Sequence, residues 1–320
     1  MSVQNDQVTS AIRRLATTTC LVALLPISMG ALVTTLKAGM AFADWPSSDG
    51  HNMLLYPWFS DFASNPEKFT EHGHRLAGML IGFVSVILAI AGWFQHQQWV
   101  RRFTFAILLA VVLQGLLGGA RVLMDRQLLA MIHSITGATF FAMCVVFRLL
   151  CSSRWPAWVA TPDVKLSSVS VALVAVTPVA VAGQYFLGGM LRHLHLFLNE
   201  HLFGAVAVSV LCVSAALCLL RSEHPLLHRC GVGIAAALVF QLLLGAGSYV
   251  SRFGLPSIGY VATSGSMAQA VVCSLHTVFG MGLFASSVVS AVSLASLYKA
   301  GCLRGLNLSL PVLNDQGRVA

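Results

Sequence analysis

The sequence predicts an all-α integral membrane protein, with eight transmembrane helices arranged as two pseudo-symmetric four-helix bundles. Three observations carry that prediction. The 320 residues are 57% hydrophobic and only 9% charged, with a mean hydropathy of +0.80, whereas soluble domains carry roughly 25% charged residues. Apolar runs near the 20 or so residues that cross a hydrocarbon core recur eight times along the chain. Finally, one helix-end pattern returns at corresponding places in the two halves, the mark of an internal repeat.

The runs place helices at about 16–37, 74–94, 103–122, 128–150, 169–191, 200–220, 231–250 and 270–298. The first begins after two arginines and is too long for a secretory leader, so it is read as a span. Residues 1–150 form an N-terminal half, 151–168 a linker rich in Ser, Pro and Trp, and 169–320 a C-terminal half. With a cytoplasmic N-terminus, the inner segments hold 12 Lys and Arg, Arg318 included, and the outer segments hold 7. That bias orients the chain with both termini cytoplasmic. It also accounts for the formal charge of +8 without a nucleic-acid partner; the expected surroundings are lipid. The eight cysteines lie in helices or near their inner ends, and no CxxC or CxxCH occurs. A disulfide framework, a zinc ribbon and covalently attached haem are therefore disfavoured.

The repeat is explicit. QGLLGGARVL (114–123), QYFLGGMLRH (184–193) and QLLLGAGSYV (241–250) end the third, fifth and seventh helices. The helix that follows each opens with His and then Gly: HSITG, HLFG and HTVFG, with HRLAG opening the second helix in the same way. The glycines let helices approach closely in lipid, or admit a flat macrocycle; both readings stand.

His74, His133, His201 and His276 thus occupy equivalent places on the four even-numbered helices. A neutral imidazole is a good iron ligand and is costly to bury without a partner. Any one of them alone is equally well an interhelical hydrogen-bonding group. Four at matching depth predict two bis-histidine haem sites in the outer half of the bilayer, His74 with His133 and His201 with His276. Zinc would want three or four clustered ligands.

Glu71 precedes His74 by three residues and so shares its helical face. Leu198, Ala130 and Cys273 stand at that position before the other histidines. Glu71 is either an acid beside one site only or a residue placed for the helix dipole. Haem propionates need cations, and Arg75, Arg121 and Arg192 stand near the outer ends, with Arg126, Arg252 and Lys37 as further candidates; any of them is also free to snorkel. His51, His72, His193 and His195 are read as surface or loop residues. The outer loops 38–73 and 251–269 are longer than a hairpin needs, which favours function.

These residues resemble the heme A synthase family over nearly the whole chain. The resemblance rests on GMAFADWPSSDG, on EHGHRLAG with its ExxHR pattern, on LGGARVL, on LGG before NEHLFG, and on HTVFG. It implies an oxidoreductase of cytochrome oxidase assembly in a bacterial-type plasma membrane. Such an enzyme oxidises the C8 methyl of haem O to a formyl through successive hydroxylations, giving haem A. By resemblance Glu71, His74 and His133 are the catalytic residues around the substrate haem, and His201 and His276 hold a resident haem b. A haem O synthase would act upstream, with the electron acceptor unknown and a homo-oligomer possible. Ala38 to Pro46 lacks the cysteine pair of some bacterial members, so a thiol step in that loop is not expected. The competing readings are a bis-histidine di-haem electron carrier and a haem-binding transporter or chaperone.

Overall fold

The structure, a computed structural model, describes residues 8–162 and 164–304; Arg318 lies outside them. Eight helices are long and apolar enough to cross a membrane. They are α1 Ser10–Thr35, α2 Pro66–Trp93, α3 Gln98–Met124, α4 Gln127–Leu150, α5 Ser168–Leu194, α6 Leu198–Leu220, α7 Pro225–Phe253 and α8 Met267–Lys299. The only sheet among the described residues pairs Val164–Lys165 with Leu303–Arg304 in parallel. This is a multi-pass, all-α membrane protein, as the composition requires.

Local chemistry sets the helix ends. Thr9, Ser167 and Ser266 cap α1, α5 and α8 by accepting backbone N–H groups two to three residues into each helix. Pro66 and Pro225 stand in the first turns of α2 and α7, where a missing N–H costs nothing. Those prolines extend both helices beyond the purely apolar runs: α2 begins eight residues before His74, not at it. Hydropathy misses this polar turn because a loop, not lipid, covers it.

The apolar surface divides between lipid and interior. Phe83, Ile87, Leu109, Val179 and Phe203 are exposed, as only a bilayer solvent tolerates. One buried apolar cluster draws on α1 to α4 and another on α5 to α8. Between them α1 packs on α8, and α4 packs on α5 and α8. α8 keeps its packed face narrow with Ser287, Ser290 and Ser293, each bonded back to a carbonyl of its own helix.

Candidate functional site: two histidine pairs and a cationic cavity

His74, His133, His201 and His276 lie at one end of the bundle, in α2, α4, α6 and α8. Each rests on a glycine of the preceding helix. A Cβ built on Gly30 would stand 2.9 Å from His74 Cε1; on Gly118, 3.3 Å from His133 Cε1; on Gly188 and Gly245, 3.1 Å from Cε1 of His201 and His276. In all four, Nδ1 is the next nearest ring nitrogen and Nε2 the farther one. The glycine of each repeat therefore seats an imidazole, and it turns Nε2 to the far side of the ring.

The Nδ1 environment repeats as well. His74 Nδ1 lies 2.9 Å from the Pro26 carbonyl, one turn before Gly30. His133, His201 and His276 face the carbonyls of Gln114, Gln184 and Gln241, one turn before their glycines. His133 and His276 make no well-formed hydrogen bond there, and His201 Nδ1 is also 3.0 Å from the Gln184 amide nitrogen. A carbonyl only accepts, so His74 Nδ1 carries the proton and its Nε2 keeps a free lone pair, the tautomer a metal ligand needs. Sequence reasoning passed over this partner, although a Gln four residues before each Gly in QGLLG, QYFLG and QLLLG marks it.

His74 stands beside His133, and His201 beside His276. The rings of His74 and His133 are 6.2 Å apart between centres and nearly perpendicular at 81°; those of His201 and His276 are 6.5 Å apart at 85°. Two imidazoles on opposite sides of one metal, with bonds of about 2 Å, hold their centres roughly 6 Å apart. Both pairs fit that span. Among the described residues no group of three His, Cys, Asp or Glu side chains gathers for a metal.

The two pairs differ in what surrounds them. His74 and His133 line a cavity of about 720 Å³, a volume suited to a cofactor-sized ligand, and neither His201 nor His276 lines it. Pro26 and Gly30 of α1, Gly78 of α2, Gln114 and Gly118 of α3, and Gly137 of α4 form its walls. Glu71, Arg75, Arg121 and Arg192 form its polar head. Arg192 comes from α5, in the other half of the chain. It donates to the Ala31 carbonyl (2.5 Å) and Thr35 Oγ1 (2.8 Å) of α1, and to the Cys273 carbonyl (3.3 Å) and Thr277 Oγ1 (2.6 Å) of α8. Arg121 donates to the Gly39 carbonyl. Neither meets a carboxylate: the ion pairs among the described residues are Arg75–Glu71 and Lys68–Asp49. Lys37, Arg126 and Arg252 are exposed and do not line the cavity.

Glu71 is 3% exposed. Its Oε1 pairs with Arg75 Nη2 at 2.8 Å, and its Oε2 accepts from the backbone N–H of Ala41 (2.8 Å) and Phe42 (3.3 Å). It is buried in the second turn of α2, so its place owes little to the helix dipole. Arg75 reaches on to the carbonyls of Asp44 (2.9 Å) and Ser47 (2.7 Å). His72 corrects the surface reading: it is 1% exposed, with Nδ1 3.1 Å from Ser48 Oγ and its ring 4.7 Å from that of Tyr56. It is buried because α2 starts early and the outer loop folds over that turn. His193 is half-buried in the last turn of α5. His51 and His195 are exposed, as expected. All eight cysteines are free.

Fold and site together define a polytopic membrane protein built around two facing histidine pairs, one of which opens on a cationic cavity. Residues 59–201 match the family model of the cytochrome oxidase assembly protein, COX15-CtaA, a stretch that holds Glu71, His74, Arg75, Arg121, His133, Arg192 and His201. That stretch is a little under half of the chain, and over it the chain is similar to that family. It is 31% identical to the Heme A synthase of Shouchella clausii over 143 residues, 43% of this chain and 45% of that protein. It is 30% identical to the Heme A synthase of Alkalihalophilus pseudofirmus over 131 residues, 40% of this chain and 42% of that one. These two matches span less than half the length of either relative. With the Heme A synthase of Symbiobacterium thermophilum the match is 28% over 252 residues, covering 72% of this chain and 74% of the relative.

Proposed function

We propose that the chain is a heme A synthase, which oxidises the C8 methyl of haem O to a formyl through successive hydroxylations. The observation that carries this reading is the inequality of the two pairs. His74 and His133, but not His201 or His276, line the 720 Å³ cavity, and that cavity's head holds one carboxylate and three guanidinium groups. In this reading haem O is the substrate there, with His74 and His133 on its iron and its two propionates at Arg121 and Arg192. Each of these arginines meets only neutral acceptors in the protein, and a buried cation without an anion is costly. His201 and His276 hold a resident haem b, which when bound supplies one-electron chemistry.

The chain's own residues do the rest. Gly30 and Gly118 seat the two imidazoles, and the Pro26 carbonyl orients His74. Glu71 stands at the cavity head, where it either takes a proton from the reacting substrate or stabilises positive charge on its methyl carbon. The loop bearing Trp45 and Pro46 lines the cavity. The reading includes a catalytic half at 1–150, a haem b half at 169–320, cytoplasmic termini, both sites in the outer half of a plasma membrane, and a haem O synthase acting upstream.

A di-haem electron carrier is the alternative; it gives no role to the Glu71 carboxylate at the head of the His74–His133 cavity. The deciding experiment expresses the chain with a haem O synthase and identifies the extracted haems by chromatography and mass. Haem A is expected with the native chain and is lost in Glu71→Ala and His74→Ala. Bound haem B with unconverted haem O, under conditions where a known synthase works, would overturn the synthase reading in favour of the carrier.

A further inference from the structure

The carboxylate of Glu71 has no free oxygen. One is held by Arg75, the other by the N–H groups of Ala41 and Phe42. Arg75 carries the tie forward to the carbonyls of Asp44 and Ser47 and to Ser48 Oγ. Phe42 is fully buried beneath the guanidinium of Arg75, 4.9 Å from its ring centre, and meets Tyr56 edge-on at 5.2 Å. On the far side Arg121 holds the Gly39 carbonyl, and the Trp45 indole fills the niche left by the absent side chain of Gly119. Residues 39–48 are thus pinned at both edges, and Trp45, Pro46 and Ser47 form one wall of the cavity. The second glycine of LGGAR exists for that indole, as the first exists for His133.

We propose that Glu71 is a positioning residue for this roof. Its charge holds the Ala41–Phe42 turn and orients Arg75, and through them it sets Trp45 over the cavity. The roof then makes the cavity selective for a flat macrocycle and slows the ligand's escape. This holds whether or not Glu71 also moves a proton, and only its consequence for haem rests on the function proposed above. Loss of activity in a Glu71 variant would follow from an unroofed site as readily as from a missing proton carrier.

The test is hydrogen exchange on the full chain in lipid nanodiscs, without added haem. Removing a hydrogen-bond acceptor that is charged should expose its donors about ten- to a hundredfold. Glu71→Ala should therefore speed exchange in peptides covering 38–48 by that factor and leave α6 and α7 unchanged. Glu71→Gln keeps one neutral acceptor and should fall between. A proton carrier with no positioning role predicts roof exchange unchanged in both variants, and that result overturns the proposal. If Glu71→Ala also loosens α6 and α7, the decision passes to Arg75→Gln, which cuts the ties to Asp44 and Ser47; unchanged exchange at 38–48 there overturns it equally. Iron protoporphyrin IX then serves as probe in a second arm. Its dissociation from the His74–His133 site should speed up in Glu71→Ala, by roughly the same factor as roof exchange. Altered roof exchange without any haem binding would leave the roof standing and sink the synthase reading instead.

Discussion

His74 Nδ1 lies 2.9 Å from the carbonyl of Pro26, on a helix 48 residues earlier in the chain. That contact fixes the imidazole's tautomer, leaves Nε2 with a free lone pair, and depends on Gly30, where any side chain would collide with the ring. The glycine seat recurs at Gly118, Gly188 and Gly245. The first prediction follows from it. Gly30→Val should displace His74, and Gly245→Val should displace His276. In reconstituted protein each should abolish the absorbance of one bis-histidine haem and spare the other. A variant keeping both spectra would show that the glycine seats are dispensable.

His74→Ala and His276→Ala should separate the sites by function. The first should leave a single low-spin haem and no haem A production. The second should still bind a macrocycle in the cavity, as judged by difference spectra on titration, because the cavity does not involve His276.

Arg121 and Arg192 should read the anionic edge of the ligand. Charge-assisted pairs exceed neutral hydrogen bonds by roughly 1 kcal/mol or more. Haem dimethyl ester should therefore bind the native protein about tenfold more weakly than free haem. In Arg192→Gln that preference should shrink while the helices remain intact. Equal affinity for ester and acid in the native protein would remove the arginines from recognition.

Asp44 should give the roof a pH dependence. Partial desolvation pushes its carboxyl upward, but hydrogen bonds from Ser47 and from the backbone of Gly50 and Asp49 outweigh this and hold it below the ordinary value. A depressed folded value means its stabilisation is present above the unfolded pKa, near 3.9, and is lost as pH falls through the folded one. Proteolytic protection of residues 44–50 should stay level from neutral pH to about 5 and fall only below about 4. Asp44→Asn should lower protection at neutral pH and flatten that fall.

Much of this was legible in the chain. Apolar runs near the length of a bilayer core, in a composition too poor in charge for water, determine eight spanning helices. A repeat that places a histidine at one position in each helix pair singles out four imidazoles, which the structure sets close together in two pairs. Glu71 stood out because it breaks that repeat. The tertiary structure alone decided the rest. A one-dimensional pattern carries neighbours along a helix, not across it, so Arg192 could be tied to the cavity of the other half only once α5 was seen against α1 and α8. His72 and the first turns of α2 are polar, and hydropathy assigns polar residues to water; here a loop buries them. That Glu71 holds Ala41 and Phe42, thirty residues away, follows from a loop folding back on its own helix. No local preference in the sequence encodes that contact, because its cause is the need to satisfy a buried carboxylate.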